Sequence, residues 1–86
     1  MKKFIVELVS DVDYEGMVVE VSFENFILAR LNYDKGVDNI EMEIPSNSSH
    51  SIIFPLDGYL ECIEKAKEIL IRCYNEDQRK HSDREN

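Results

Sequence analysis

Apolar and polar residues alternate along four stretches of the chain, then recur at every third or fourth position along a fifth. In the first stretch Phe4, Val6 and Leu8 alternate with Lys3, Ile5, Glu7 and Val9. It predicts a strand with apolar residues on both faces, the pattern of a central position. A second strand is expected over residues 17–23, with Val19, Val21 and Phe23 on one face and Val18, Glu20 and Ser22 on the other. Glu24-Asn25 suits a hairpin turn, because asparagine tolerates positive φ. The third strand, over residues 26–33, puts Ile27, Ala29, Leu31 and Tyr33 on one face and Phe26, Leu28, Arg30 and Asn32 on the other. Gly36 closes the next turn, fitting a left-handed position. Residues 38–44 alternate again, Ile40, Met42 and Ile44 opposite Asn39, Glu41 and Glu43, until Pro45 ends the pattern.

After a polar loop, Leu56, Leu60, Ile63, Ala66, Ile69, Leu70 and Cys73 form one helical stripe. Asp57 suits the helix N-cap or first turn. The stripe ends at Tyr74, and "NEDQRKHSDREN" has no apolar residue with which to bury anything. The expected architecture is α+β and two-layered: a four-stranded antiparallel sheet, a meander, with one long C-terminal helix packed on one face. Residues 1–75 form the single domain and 76–86 a disordered polar tail. The sheet's second face stays open to a partner or to a second copy.

At 86 residues the chain suits one domain. Charge adds more. There are 18 acidic against 10 basic residues, a net charge of −8, and residues 1–75 hold 14 of the acids and 7 of the bases. Such a body repels nucleic acid and anionic lipid and attracts basic proteins. The N-terminal "MKKFIVELVSD" reads as a strand and not as a signal peptide, and no stretch is long and apolar enough for a membrane span, so a cytoplasmic location is expected. Cys62 and Cys73 lie roughly 16 Å apart along one helix, too far for a disulfide.

Candidate chemistry is sparse. Glu41 and Glu43 stand roughly 6.6 Å apart on one strand face, a separation compatible with paired-carboxylate hydrolysis. An exposed strand face lacks the burial that a general acid needs, so a small orphan hydrolase is only a remote alternative and no catalytic residue is assigned. Asp11, Asp13 and Glu15 lack the ligand number and spacing of a calcium loop, so no metal is expected. His50 and His81 fall in polar segments, away from any nucleophile. Three glycines make no phosphate loop, and no cofactor is expected. Scattered basic residues argue against nucleic-acid binding. Protein recognition remains. Asp11, Asp13, Tyr14, Glu15, Tyr33, Asp34, Asp38, Glu41 and Glu43 are its candidate residues, aromatics set among acids.

The segments "VVEVSFENFILARLNYDKGVDNIEMEIP" and "FPLDGYLECIEKAKEIL" resemble small acidic immunity proteins of bacterial toxin systems, of the contact-dependent inhibition and polymorphic toxin type. The resemblance spans about Ile5 to Leu70 and rests on fold-type signals. It implies a protein that neutralises a cognate basic toxin, often a nuclease, by covering its active site or a nearby surface. The helix "DGYLECIEKAKEIL" is also similar to that of small antitoxins of RNA-cutting toxins, whose DNA-binding segment has no counterpart here. An antitoxin-like or adaptor module working as a homo-oligomer is the alternative, with a homodimer as its simplest form.

Overall fold

The computed structural model describes residues 3–45 and 51–84, with side chains described as far as Arg79. It contains strands β1 (Phe4–Ser10), β2 (Met17–Phe23), β3 (Phe26–Asn32) and β4 (Glu41–Glu43), a short 3-10 helix over Val37–Asn39, and helix α1 (Leu56–Arg84). The strands form an antiparallel sheet in the order β1-β2-β3-β4, the expected meander. Glu24 and Asn25 both take positive φ, 49° and 74°, which gives the hairpin the twist of its strands. Gly36 sits at φ 98°, as its turn requires.

One face of the sheet meets α1. Val19, Val21, Ala29 and Leu31 are buried there against Ala66 and Leu70. Phe4, Phe23, Phe54 and Tyr59 form a chain of ring contacts, with Phe4 and Phe23 centroids 4.8 Å apart. Gly58 lets the helix approach at this point, since a Cβ there would lie 2.6 Å from Phe4 Cε2.

Four expectations need correction. β1 is an edge strand, not a central one. Apolar residues on both of its faces therefore do not make it an interior strand of this sheet. In β3, Val21 pairs with Ala29 but Ser22 pairs with Ile27, so Leu28 is an extra residue. That bulge turns Ile27 to the side of Ser22 and leaves Leu28 buried. On α1, Leu56 and Leu60 are exposed, while Tyr59 and Cys62 pack against the core. Finally, α1 does not end at Tyr74 but continues to Arg84. Glu76, Gln78, Arg79 and Lys80 are good helix formers, so a helix already nucleated by packing propagates through them. The polar loop lies largely outside the described residues, as does the His50 side chain; that of His81 is likewise not described.

The helix packs chiefly on β1 and β2 and is narrower than the sheet. A helix with its side chains is about 10–12 Å across, whereas four strands about 4.8 Å apart make a wider surface. Between α1 and β4 lies an open groove of about 640 Å³ lined by Leu31, Val37, Asp38, Ile40, Met42, Ile63, Lys67 and Ile71.

Candidate functional site: an acidic end and the outer face of the sheet

Antiparallel pairing puts the β1–β2 turn and the β3–β4 connection at the same end of the sheet. Asp11, Asp13, Glu15, Asp34 and Asp38 therefore gather there. α1 reaches this end as well. The Tyr33 hydroxyl donates to Asp77 Oδ2 at 3.2 Å, and the Tyr33 ring meets Tyr74 edge-on at 5.9 Å. Asp77 is thus part of the acidic end, although the sequence placed it in a tail.

Two of these acids hold the turns together. The Asp11 carboxylate accepts the Asp13 N–H at 2.9 Å. Asp34 accepts the N–H of Gly16 at 3.0 Å through Oδ1 and that of Glu15 at 3.2 Å through Oδ2. The Asp34 N–H in turn donates to Oδ1 of Asn32, which is buried. Such side-chain to backbone bonds are the ordinary reason for aspartate and asparagine in turns. Asp13, Glu15 and Asp38 are exposed.

The outer face, turned away from α1, carries a row across all four strands: Glu7 opposite Glu20, Glu20 opposite Arg30, Arg30 opposite Glu43. Arg30 Nε donates to Glu20 Oε2 at 2.9 Å, and Nη1 to Glu43 Oε1 at 3.3 Å. These two carboxylates raise the arginine's already high pKa, Glu20 most. Tyr14 reaches across this face and donates to Glu43 Oε1 at 2.9 Å. That bond, with a smaller contribution from burial, raises the Tyr14 pKa. Beside it Val18 and Asn32 are buried although they belong to the outer face. Glu41 pairs with Lys35 Nζ at 3.0 Å.

The structure thus joins Tyr14 to Glu43 and places Glu41 next to them, as one patch continuous with the acidic turns. Tyr33 belongs elsewhere. Its ring lies on Gly16, where a Cβ would come within 2.6 Å of Cε1, and burial followed by Asp77 raises its pKa. It packs the helix onto the turn. The candidate residues did not include Glu7, Glu20, Arg30 and Asp77. Register reveals the first three; Asp77 needed the helix to continue.

Glu41 and Glu43 side chains are 51% and 52% exposed, and each faces a cation. Each carboxylate accepts a hydrogen bond from its cation, Glu43 from Arg30 and Glu41 from Lys35. Burial raises the Cys62 thiol pKa, Glu61 raises it further, and Lys65 offsets part of this; the combination opposes a nucleophilic thiolate. Among the described residues no cluster of histidine, cysteine and carboxylate side chains could hold a metal ion, and no helix is long and apolar enough to cross a membrane. No family model, curated protein or solved structure matches this chain.

Proposed function

We propose that this protein is an immunity-type inhibitor that binds a basic toxin domain, a nuclease, and covers its active-site or substrate-binding surface. The observation that carries the proposal is the convergence of acids from three separate parts of the chain. Asp11, Asp13 and Glu15 come from one turn, Asp34 and Asp38 from another, and Asp77 from α1, all at one end of the sheet and continuous with Glu41, Glu43 and Tyr14 on its outer face. A nuclease concentrates positive charge where it holds phosphates. Exposed carboxylates at Asp13, Glu15, Asp38, Glu41 and Glu43 can occupy phosphate positions without offering a bond to cut. The net charge of −8 steers the encounter, with association toward ~10⁸ M⁻¹s⁻¹ at low salt. On this reading the protein acts by binding and carries out no reaction of its own.

The test is capture of the protein encoded immediately upstream, followed by binding measured at two salt concentrations. A basic partner whose association slows as salt rises supports the reading. Specific recovery of a lipid or small metabolite with no protein partner overturns it.

A further inference from the structure

We propose that the open edge of β1 pairs with β1 of a second copy, antiparallel about a two-fold axis through Ile5, so that Lys3 of each copy faces Glu7 of the other.

β1 has the composition of an interior strand at the margin of a sheet. Ile5 on its outer face and Leu8 on the helix side are 46% and 43% exposed. Its ladder with β2 runs without interruption from Phe4–Phe23 to Ser10–Met17, so no bulge twists the edge away. It contains no proline, and Glu7 is its one charged residue. Proteins that keep an edge strand single normally shorten it, bulge it or place charges along it.

Glu7 identifies the occupant. It stands directly opposite Glu20, an unfavourable like-charge pair. Arg30 relieves Glu20 from the far side and makes its second ion pair with Glu43, not Glu7. Among the described residues no strand lies on the near side of Glu7, which faces the open edge. Lys3 continues the same face: its carbonyl accepts the Glu24 N–H at 3.4 Å, which carries the β1–β2 pairing one residue beyond Phe4.

Alternation restricts a β1–β1 ladder to registers in which residues of the same face stand opposite. Centred on Glu7, the ladder sets Glu7 against its own copy. Centred on Val6, it sets Glu7 against the second copy's Ile5. Centred on Ile5, it sets Glu7 against Lys3, Phe4 against Val6, and Ile5 against itself. Only this last register gives both charges an opposite partner while covering the exposed Ile5. The outer face then reads Glu43, Arg30, Glu20, Glu7 and the second copy's Lys3, with a cation on each side of the Glu7–Glu20 doublet. This inference does not depend on the identity of any other partner.

Sedimentation equilibrium over a concentration series tests it, at an ionic strength where screening over about 8 Å removes long-range repulsion between the acidic copies. The wild-type chain is expected to form a concentration-dependent dimer. Lys3→Glu and Glu7→Lys are each expected to weaken it about tenfold or more, because symmetry converts two favourable pairs into two unfavourable ones. The double variant Lys3→Glu/Glu7→Lys restores the dimer. Both residues are exposed, and circular dichroism confirms that each variant is folded. A monomer at every concentration overturns the proposal. So does a dimer indifferent to both single reversals, or one that Glu7→Gln tightens, the mark of the Glu7-centred register.

Discussion

β1 and β4 each have a single neighbouring strand, but they meet the surroundings differently. β1 spans seven residues, with apolar side chains on both faces and an acid that has a like charge beside it. β4 spans three residues, and each of its two glutamates is already paired, Glu41 with Lys35 and Glu43 with Arg30 and Tyr14. The Gly58 approach anchors β1 to α1 through Phe4, whereas a groove opens between α1 and β4, bridged by the Tyr59 hydroxyl donating to Met42 Sδ at 3.8 Å. An edge built like β1 presents a long row of unpaired backbone groups to another strand. An edge built like β4 is short and charged, so it presents side chains more readily than backbone.

The sharpest way to break this contrast is truncation on the helix side of each edge. Phe4→Ala removes a ring packed between Phe23 and Phe54 and should cost about 3 kcal/mol in denaturant unfolding. Met42→Ala at β4, where the residue is 45% exposed, should cost under about 1 kcal/mol. Equal losses would mean that α1 supports both edges alike. Gly58→Ala comes next. Helix propensity alone favours alanine by about 1 kcal/mol, yet a Cβ at 2.6 Å from a ring wedged among other rings forces Phe4 to shift. Net destabilisation of about 1 kcal/mol is expected, and a gain in stability would show that the approach is loose.

The sequence made most of the fold legible. The period-two stretches, the positive-φ turn at Glu24-Asn25 and the single amphipathic run all correspond to observed elements. What it could not show depends on three-dimensional register. β1 looked central because it is apolar on both faces, a pattern that does not by itself distinguish an interior strand from an edge strand. The Leu28 bulge moved Ile27 to the side of Ser22 and left Leu28 unpaired and buried, without any glycine or proline to announce it. Leu56 and Leu60 fit the helical period, but Tyr59, Cys62, Ile63 and Ala66 take the core side and Leu60 lies among Glu61, Glu64 and Glu68. The acids of the turns were visible as acids. The Asp11 bond to Asp13 is local to its own turn; that Asp34 braces the β1–β2 turn, and that Tyr14 chooses Glu43, followed only from which segments meet.

Smaller effects sharpen the outer-face row. Arg30→Met leaves Glu20 and Glu43 without their cation, in one row with Glu7, and should cost about 1 kcal/mol at neutral pH, reduced when Glu7→Gln is added. No recovery on adding Glu7→Gln would show that Glu7 is electrically separate from the row. The smallest effect is the Tyr14 phenol. Its pKa is raised because the neutral form donates to Glu43. The bond's contribution to stability is therefore fully present below the unfolded tyrosine pKa near 10 and is lost as pH rises through the higher folded value. Tyr14→Phe should flatten this alkaline loss, as read from unfolding midpoints across the basic range. An unchanged profile would place the phenol away from Glu43 in solution.

The most direct test of the proposed inhibitor is the affinity of the captured basic partner for Glu41→Lys/Glu43→Lys relative to wild type, at low and at moderate salt, with the fold of the variant checked by circular dichroism. The account predicts about a hundredfold loss or more at low salt, with a shallower salt dependence. A folded variant that binds the partner as tightly as wild type, with the same salt dependence, would contradict it.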